Sequence, residues 1–441
     1  MKRFVQHIII LIALPLIGNA QQDLKFNSID SLFSFADHNS SVAKTNEQQT
    51  ILARYQKIAA LANTVNFRDP VALSLTNNTQ LPVSFLPAQL LGGPAGEFKQ
   101  ITLGQQYNSN FTITPQIDII NPGAWAQVKT ASISEEITST RNLLSKKSLY
   151  ESIAACYYNI ASFHEQVSIT QKNSLATDTL LLIVNNKYAQ GLVRQQDVND
   201  ASINKLLLQD KLKQLEISLE QQYNSLKILC DIPISTNLIL EDELNYRQQF
   251  VADMNANSQL QLRTSMLQAD SAKADLRCNR LSNLPVLSLL YSNSYYQYSN
   301  NRLLDNNTNP TKWLNSVYIG AKVTFNLPDV NRILVTRNSQ IKYQTSLIRL
   351  EHNRLQTDIS NNQLKLDYEK AYSQFSTSGQ IFLLKEENYK MAFKQFNQSI
   401  LSFDKLLVVL NDMLTSRLNY SSALANLLFT KTKIDINNKL K

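Results

Sequence analysis

Few side chains in this 441-residue chain are spaced for catalysis. The histidines His7, His38, His164 and His352 are scattered, and no Cys, His or carboxylate cluster has metal-site spacing. Gly92-Gly93-Pro94-Ala95-Gly96 lacks the Lys-Ser/Thr that completes a phosphate loop and reads as a turn. No nucleophile–base motif stands out, so neither an enzymatic activity nor a cofactor is expected. Cys156, Cys230 and Cys278 are odd in number and widely separated, which is not a disulfide framework; all fall in helical stretches, as small buried hydrophobes. The acidic residue with the clearest chemical potential is Asp197, just beyond Gly191 and close to Arg194. Taken alone it reads as a solvated helix face. At an opening, a carboxylate attracts cations and disfavours anions.

The element that positions Asp197 runs from Lys187 to Lys211. Gly191 is the lone glycine between Gly123 and Gly320, and no proline occurs from Gly123 to Ile232. Glycine reverses a helical chain cheaply because it takes φ > 0 without steric cost. Gly191 is therefore expected at the tip of a long helical hairpin, with a second tip near residue 400. Breakers crowd into two zones, Pro70–Gly123 and Pro285–Pro328, and nearly vanish from Ala124–Ile232 and Asp329–Lys441. The order of short helix, breaker-rich zone and long helical zone thus occurs twice, with a period of roughly 200 residues. The long zones carry coiled-coil spacing: Tyr150, Ile153, Tyr157, Ile160, His164 and Val167, then Leu208, Leu212, Leu215, Leu219 and Leu226. In the second half Leu334, Ile341, Ile348 and Leu355 recur every seven residues, then shift to Ile359 and Leu366, a stutter; Phe403, Leu407, Leu410 and Leu414 resume the seam. An arm of about sixty residues would be about 90 Å long.

The breaker-rich zones alternate with period two. From Ile101 to Ile119 the odd positions are mostly apolar and the even ones polar. Trp313, Val317, Ile319, Ala321, Val323, Phe325 and Leu327 share one face of the second run. Such alternation is the signature of a membrane strand, apolar to lipid and polar to a lumen; an ordinary half-buried sheet is the alternative. Partner strands are expected at Val71–Phe85 and Val286–Tyr298, with Ser299–Lys312 as a polar loop. The start of the chain agrees with export: Lys2 and Arg3, an apolar run Ile8–Ile17, and Gly18-Asn19-Ala20 read as a leader cleaved near Ala20. Its removal takes the formal net charge from +8 to +6, a mild excess that does not call for nucleic acid. No other stretch is a candidate spanning helix. A sheet in lipid must close, and barrels need at least about eight strands, so the four expected here imply several chains.

These features resemble the TolC-like outer-membrane efflux proteins, in particular Bacteroidetes-type members. The resemblance rests on the doubled strand pair and hairpin, on Tyr188-x-x-Gly191-Leu192-Val193-x-x-x-Asp197-Val198, and on Phe85–Asn108. It covers essentially the whole mature chain. It implies a mainly α protein with transmembrane β: a leader at 1–20, a first repeat at 21–232 and a second at 233–441. It implies a homotrimer whose twelve-stranded barrel continues as a periplasmic α-helical tunnel. Further implications are docking to a periplasmic adaptor and inner-membrane pump, and export of small molecules or drugs; protein secretion and metal efflux share the fold. The tip residues Gly191, Leu192, Val193, Ser399, Ile400 and Leu401 would meet the adaptor or pack within the bundle. Asp197, Arg194, Asp404 and Lys405 would line the entrance, with Arg194 pairing a neighbour's Asp197. Ser399 stands where such proteins usually have glycine, and Lys405 where they often have an acid. A soluble periplasmic coiled-coil scaffold or adaptor is the rival reading; an adaptor would carry one hairpin, not two in tandem.

Overall fold

The computed structural model describes residues 23–241, 259–304, 313–325 and 329–440. The expected leader, residues 305–312 of the polar loop, and Asn326 and Leu327 at the end of the last strand lie outside them. Two units are formed, Met1–Gln49 with Ser139–Thr264 and Glu351–Lys441, and Thr50–Thr138 with Ser265–Leu350. Each unit draws on both halves of the sequence.

Four long helices carry the hairpins. In chain order after α1 (Ile29–Asn39) and α2 (Ser41–Val65) come α3 (Pro122–Ala189) and α4 (Gln195–Cys230), then α5 (Leu260–Leu281), α6 (Val330–Asn397) and α7 (Phe403–Lys439). Both α3 and α6 have 68 residues. The starts and tips of the two hairpins are 208 residues apart, Pro122 and Val330, Gly191 and Ser399, Gln195 and Phe403, and their starts are built alike. Asn121 accepts from the Ala124 amide at 3.0 Å before α3, and Asp329 from the Arg332 amide at 2.7 Å before α6. A short side-chain acceptor satisfies a donor that the first turn otherwise leaves open. Nothing inside either helix then stops it until the tip.

The core of the first unit is a set of apolar clusters. One joins Phe26 of β1 (Asp23–Phe26) and Leu32 and Phe33 of α1 to Ile153, Tyr157 and Ile160 of α3, Leu226 and Cys230 of α4 and Ile436 of α7. There β1 pairs in parallel with β7 (Asn237–Leu240), tying the start of one half to the start of the other. A second cluster gathers the tips: Val184, Ala201, Phe396, Phe403, Leu406 and Leu410. A third packs Tyr368 and Phe375 of α6 on Leu424, Leu427 and Leu428 of α7. Burying each such side chain contributes about 1.5–3 kcal/mol.

The second unit is organised by an antiparallel sheet. Its strands are β2 (Val71–Asn77), β5 (Tyr107–Ile113), β6 (Gln116–Ile120), β8 (Val286–Ser299) and β9 (Leu314–Thr324). β5 and β6 pair with successive stretches of β8 in one register as far as Asp118, beyond which it shifts by one, with the Tyr291 amide donating to the Pro115 carbonyl at 3.0 Å between them. They act as one strand, so four positions run β2, β5/β6, β8, β9. The expected run from Ile101 to Ile119 is not continuous. Gly104, at φ +115, turns the chain after Leu103, and Phe98–Thr102 forms β4, paired only with β3 (Val83–Pro87) in a separate ribbon. Val71–Phe85 likewise divides ahead of Pro82, which has no amide to donate. No helix among the described residues is long and apolar enough to cross a membrane.

Candidate functional site

The hairpin tips are two versions of one turn. At the first, the Gly191 amide donates to the Tyr188 carbonyl and the Leu192 amide to the Lys187 carbonyl, each at 2.9 Å. At the second, the Ser399 amide reaches Phe396 at 3.0 Å and the Ile400 amide reaches Gln395 at 2.9 Å. Gly191 has φ +71 and Ser399 φ +57, so serine occupies the left-handed position that glycine takes more cheaply. The next two residues of each tip divide their roles. Leu192 and Ile400 are exposed, at 61% and 71%, whereas Val193 and Leu401 are partly buried against the tip cluster.

Asp197 is 6% exposed. Its carboxylate accepts from the backbone amide of Arg194 at 2.8 Å and lies 3.6 Å from the Arg194 guanidinium. Within this chain the contact lets Asp197 cap α4 and offset the positive end of the helix dipole. Asp404 and Lys405 lie in the first turn of α7 and are exposed. A hydrogen bond from the Ser402 side chain holds the Asp404 carboxyl below its ordinary value, helped by backbone amides and the Lys405 charge.

The residue that joins the two tips is one that sequence reasoning did not single out. Lys187, in the last turn of α3, donates from Nζ to the Phe396 carbonyl at 2.9 Å. A basic side chain there stabilises the final, unpaired carbonyls of a helix, in this case α6. Its only sequence signal is a lysine in a last helical turn, which says nothing about a second helix.

In the sheet of the second unit the central strands β5, β6 and β8 bury polar side chains and expose apolar ones, whereas on the edge strands β2 and β9 nearly every residue is exposed, Ser74, Thr76, Ser316 and Lys322 included. Ser109, Asp118, Ser288, Ser292, Ser294, Gln297 and Ser299 are buried, while Leu73, Ile117, Ile119, Leu289, Val317 and Ile319 are exposed, Ile319 at 80%. Asp118 is the hub of this polar side. It accepts from Ser288 Oγ at 2.7 Å, Asn66 Nδ2 at 2.5 Å, and Gln116 Nε2 and Asn121 Nδ2 at 3.2 Å, with Arg68 at 3.8 Å. The edges of the sheet, β2 and β9, have no further strand partner among the described residues.

One helical seam is also left uncovered. Ile153, Tyr157 and Ile160 are buried in α3, as are Phe403, Leu410 and Leu414 in α7. On α6, Leu334, Ile341, Ile348, Leu355, Ile359 and Leu366 are exposed, Ile348 at 72%. Among the described residues, no group of three or more His, Cys, Asp or Glu is placed to hold a metal.

No protein-family model and no curated protein matches the sequence. Solved structures do match. The outer membrane protein VceC of Vibrio cholerae aligns over 92% of this chain and 94% of its own, with a TM-score of 0.72 at 14% identity. The CmeC outer membrane channel of Campylobacter jejuni aligns over 93% and 85%, with a TM-score of 0.72 at 11% identity. The open state of the MtrE outer membrane channel of Neisseria gonorrhoeae aligns over 91% and 88%, with a TM-score of 0.66 at 14% identity.

Proposed function

We propose that this chain, which has the fold of the TolC-like outer-membrane channels, is the subunit of a homotrimeric outer-membrane export channel. The observation that carries the reading is the inverted sheet. Burying serines and a carboxylate while exposing leucine, valine and isoleucine is unfavourable in water and favourable when the outer face meets lipid. β8 and β9, of 14 and 11 residues, reach the roughly 9–11 residues a spanning strand needs. Lipid cannot satisfy the two free edges, so β2 of one copy pairs with β9 of the next. Four strand positions per chain give twelve in a trimer. The uncovered α6 seam is the natural contact between copies in the helical portion.

In this reading residues 1–20 are a leader, and 21–232 and 233–441 are tandem repeats. The helices extend into the periplasm, and the barrel sits in the outer membrane. The channel is a passive conduit for small molecules; energy comes from an inner-membrane pump reached through a periplasmic adaptor. Leu192 and Ile400 are the adaptor contacts, while Val193 and Leu401 hold the tip core. Asp404 and Lys405 set the charge of the entrance, and Asp197 with Arg194 keeps the first tip in shape.

Fractionation followed by a semi-native gel tests this. The mature protein is expected in the sarkosyl-insoluble outer membrane, running as a trimer unless boiled. Ile348→Glu with Leu355→Glu should leave only monomer. A soluble monomer or dimer of the unaltered chain after osmotic shock would favour the scaffold reading and end this one.

A further inference from the structure

The hairpin of α3 and α4 brings two of the three cysteines to one level. Its register is marked by Lys205 Nζ to Asp178 Oδ1 at 2.8 Å, Asn159 Nδ2 to Gln222 Oε1 at 3.4 Å, and His164 Nε2 to Tyr223 Oη at 2.8 Å. Carried along the antiparallel hairpin to residue 156, these three pairs place its partner between 225 and 231, a span that includes Cys230. Cys156 is half-buried beside Tyr157 of the α3 seam, and Cys230 lies one turn beyond Leu226 on α4. Ile153, Ile160, Leu226 and Cys230 are buried in one cluster, and Cys156 packs against it. Packed helices stand about 8–10 Å apart, with Cα atoms about 2.3 Å from each axis. Facing Cα atoms are then about 3.5–5.5 Å apart, which overlaps the span of about 4.4–6.8 Å that disulfides bridge. All three cysteines are free thiols in the structure. Burial, and then the nearness of Cys156, pushes the Cys230 thiol up to about 12.

We propose that Cys156 and Cys230 form a disulfide across the base of the first hairpin, made in the oxidising compartment by exchange with a disulfide-bearing donor, while Cys278 stays a free thiol. This rests on the export part of the reading above. The exchange balances. The thiolate of one cysteine attacks the donor disulfide, forming a mixed disulfide and releasing one donor thiolate. The thiolate of the other cysteine then attacks the mixed disulfide and releases the second. The chain loses two protons and two electrons, and the donor disulfide becomes two thiols. Buried thiols with raised pKa supply little thiolate, so the exchange precedes closure of the core. The finished bond is then sheltered from reductants. In the second hairpin the equally displaced positions are Leu364 and Asn438, so only the first hairpin is stapled.

The test is a thiol count on protein taken from the cell envelope, denatured with iodoacetamide and no reductant, then weighed intact. One alkylated thiol is expected, rising to three after reduction; Cys278→Ser should give none and then two. Three alkylated thiols on a chain that has lost residues 1–20 would overturn the proposal. A chain that keeps residues 1–20 refutes the export reading instead. Oxidising the purified protein with copper–phenanthroline then decides the pair by itself: a linked Cys156–Cys230 peptide supports it, and its absence overturns it.

Discussion

Lys187 of the first hairpin reaches the end of the second, donating to the Phe396 carbonyl at 2.9 Å while standing 4.3 Å from the centroid of the Phe396 ring. One ammonium thus serves a helix C-terminus and an aromatic face together. Each contact contributes on the order of 1 kcal/mol when partly shielded from water. Lys187→Met keeps the apolar stem and removes both. Amide hydrogen exchange at Ser399 and Ile400 should then quicken by about ten- to thirtyfold, with the base of the hairpin unaffected. Unchanged protection at those two amides would mean the contact does not hold the tips together.

The two tips give opposite responses to the same comparison. Gly191 is at φ +71 with open space around an added Cβ, so Gly191→Ala carries only the backbone cost of about 1–2 kcal/mol. Ser399 already bears that cost at φ +57, and Ser399→Gly should recover about 0.5–1 kcal/mol. Thermal unfolding of the two variants should move in opposite directions. A fall in both would show that the Ser399 hydroxyl matters more than its backbone.

The Asp118 carboxylate accepts from four donors, Ser288, Asn66, Gln116 and Asn121. Asp118→Ala strands those donors and should destabilise by about 3 kcal/mol, whereas Asp118→Asn keeps one acceptor and should cost less. The readout is the temperature at which the assembled species separates on a semi-native gel. Equal temperatures for Asp118→Ala and the parent would remove Asp118 from its place as hub.

Burial lowers the pKa of His164 from 6.5, so the folded chain favours the neutral ring that meets Tyr223. The unfolded chain binds the proton more readily. The stability from this group is therefore present above about pH 6.5 and is lost as pH falls through the lower folded value. The melting temperature should drop on acidification through that window. In His164→Gln, which keeps a partner for Tyr223, the drop should be shallower. Identical pH profiles for the two proteins would contradict the linkage.

The side chains of Leu192 and Ile400 are exposed, and only their backbone amides serve the tip turns. Leu192→Asp with Ile400→Asp should leave assembly and melting temperature unchanged, within about 0.5 kcal/mol, and abolish export that depends on a docked partner. Export intact in that variant would remove the tips from docking.

The helices, their tips and their doubled order could be read from the chain, because breakers act locally. A proline-free tract bounded by Asn121-Pro122 and Gly191 specifies α3 with no partner present, and the alternation from Trp313 to Phe325 marks β9 in the same way. What the sequence could not tell was where a strand stops, since a period-two pattern passes unbroken through Gly104, where the chain actually turns. It could not distinguish seams either. Ile153 and Ile348 sit in the same kind of heptad, yet one is buried and the other exposed, because burial depends on which surfaces are left once the chain has packed. The same holds for chemistry. Arg194 lies near Asp197 in sequence, and the helix N-terminus makes them a pair. Lys187 meets Phe396, and Asp118 meets Ser288, only through long-range packing that no local spacing encodes.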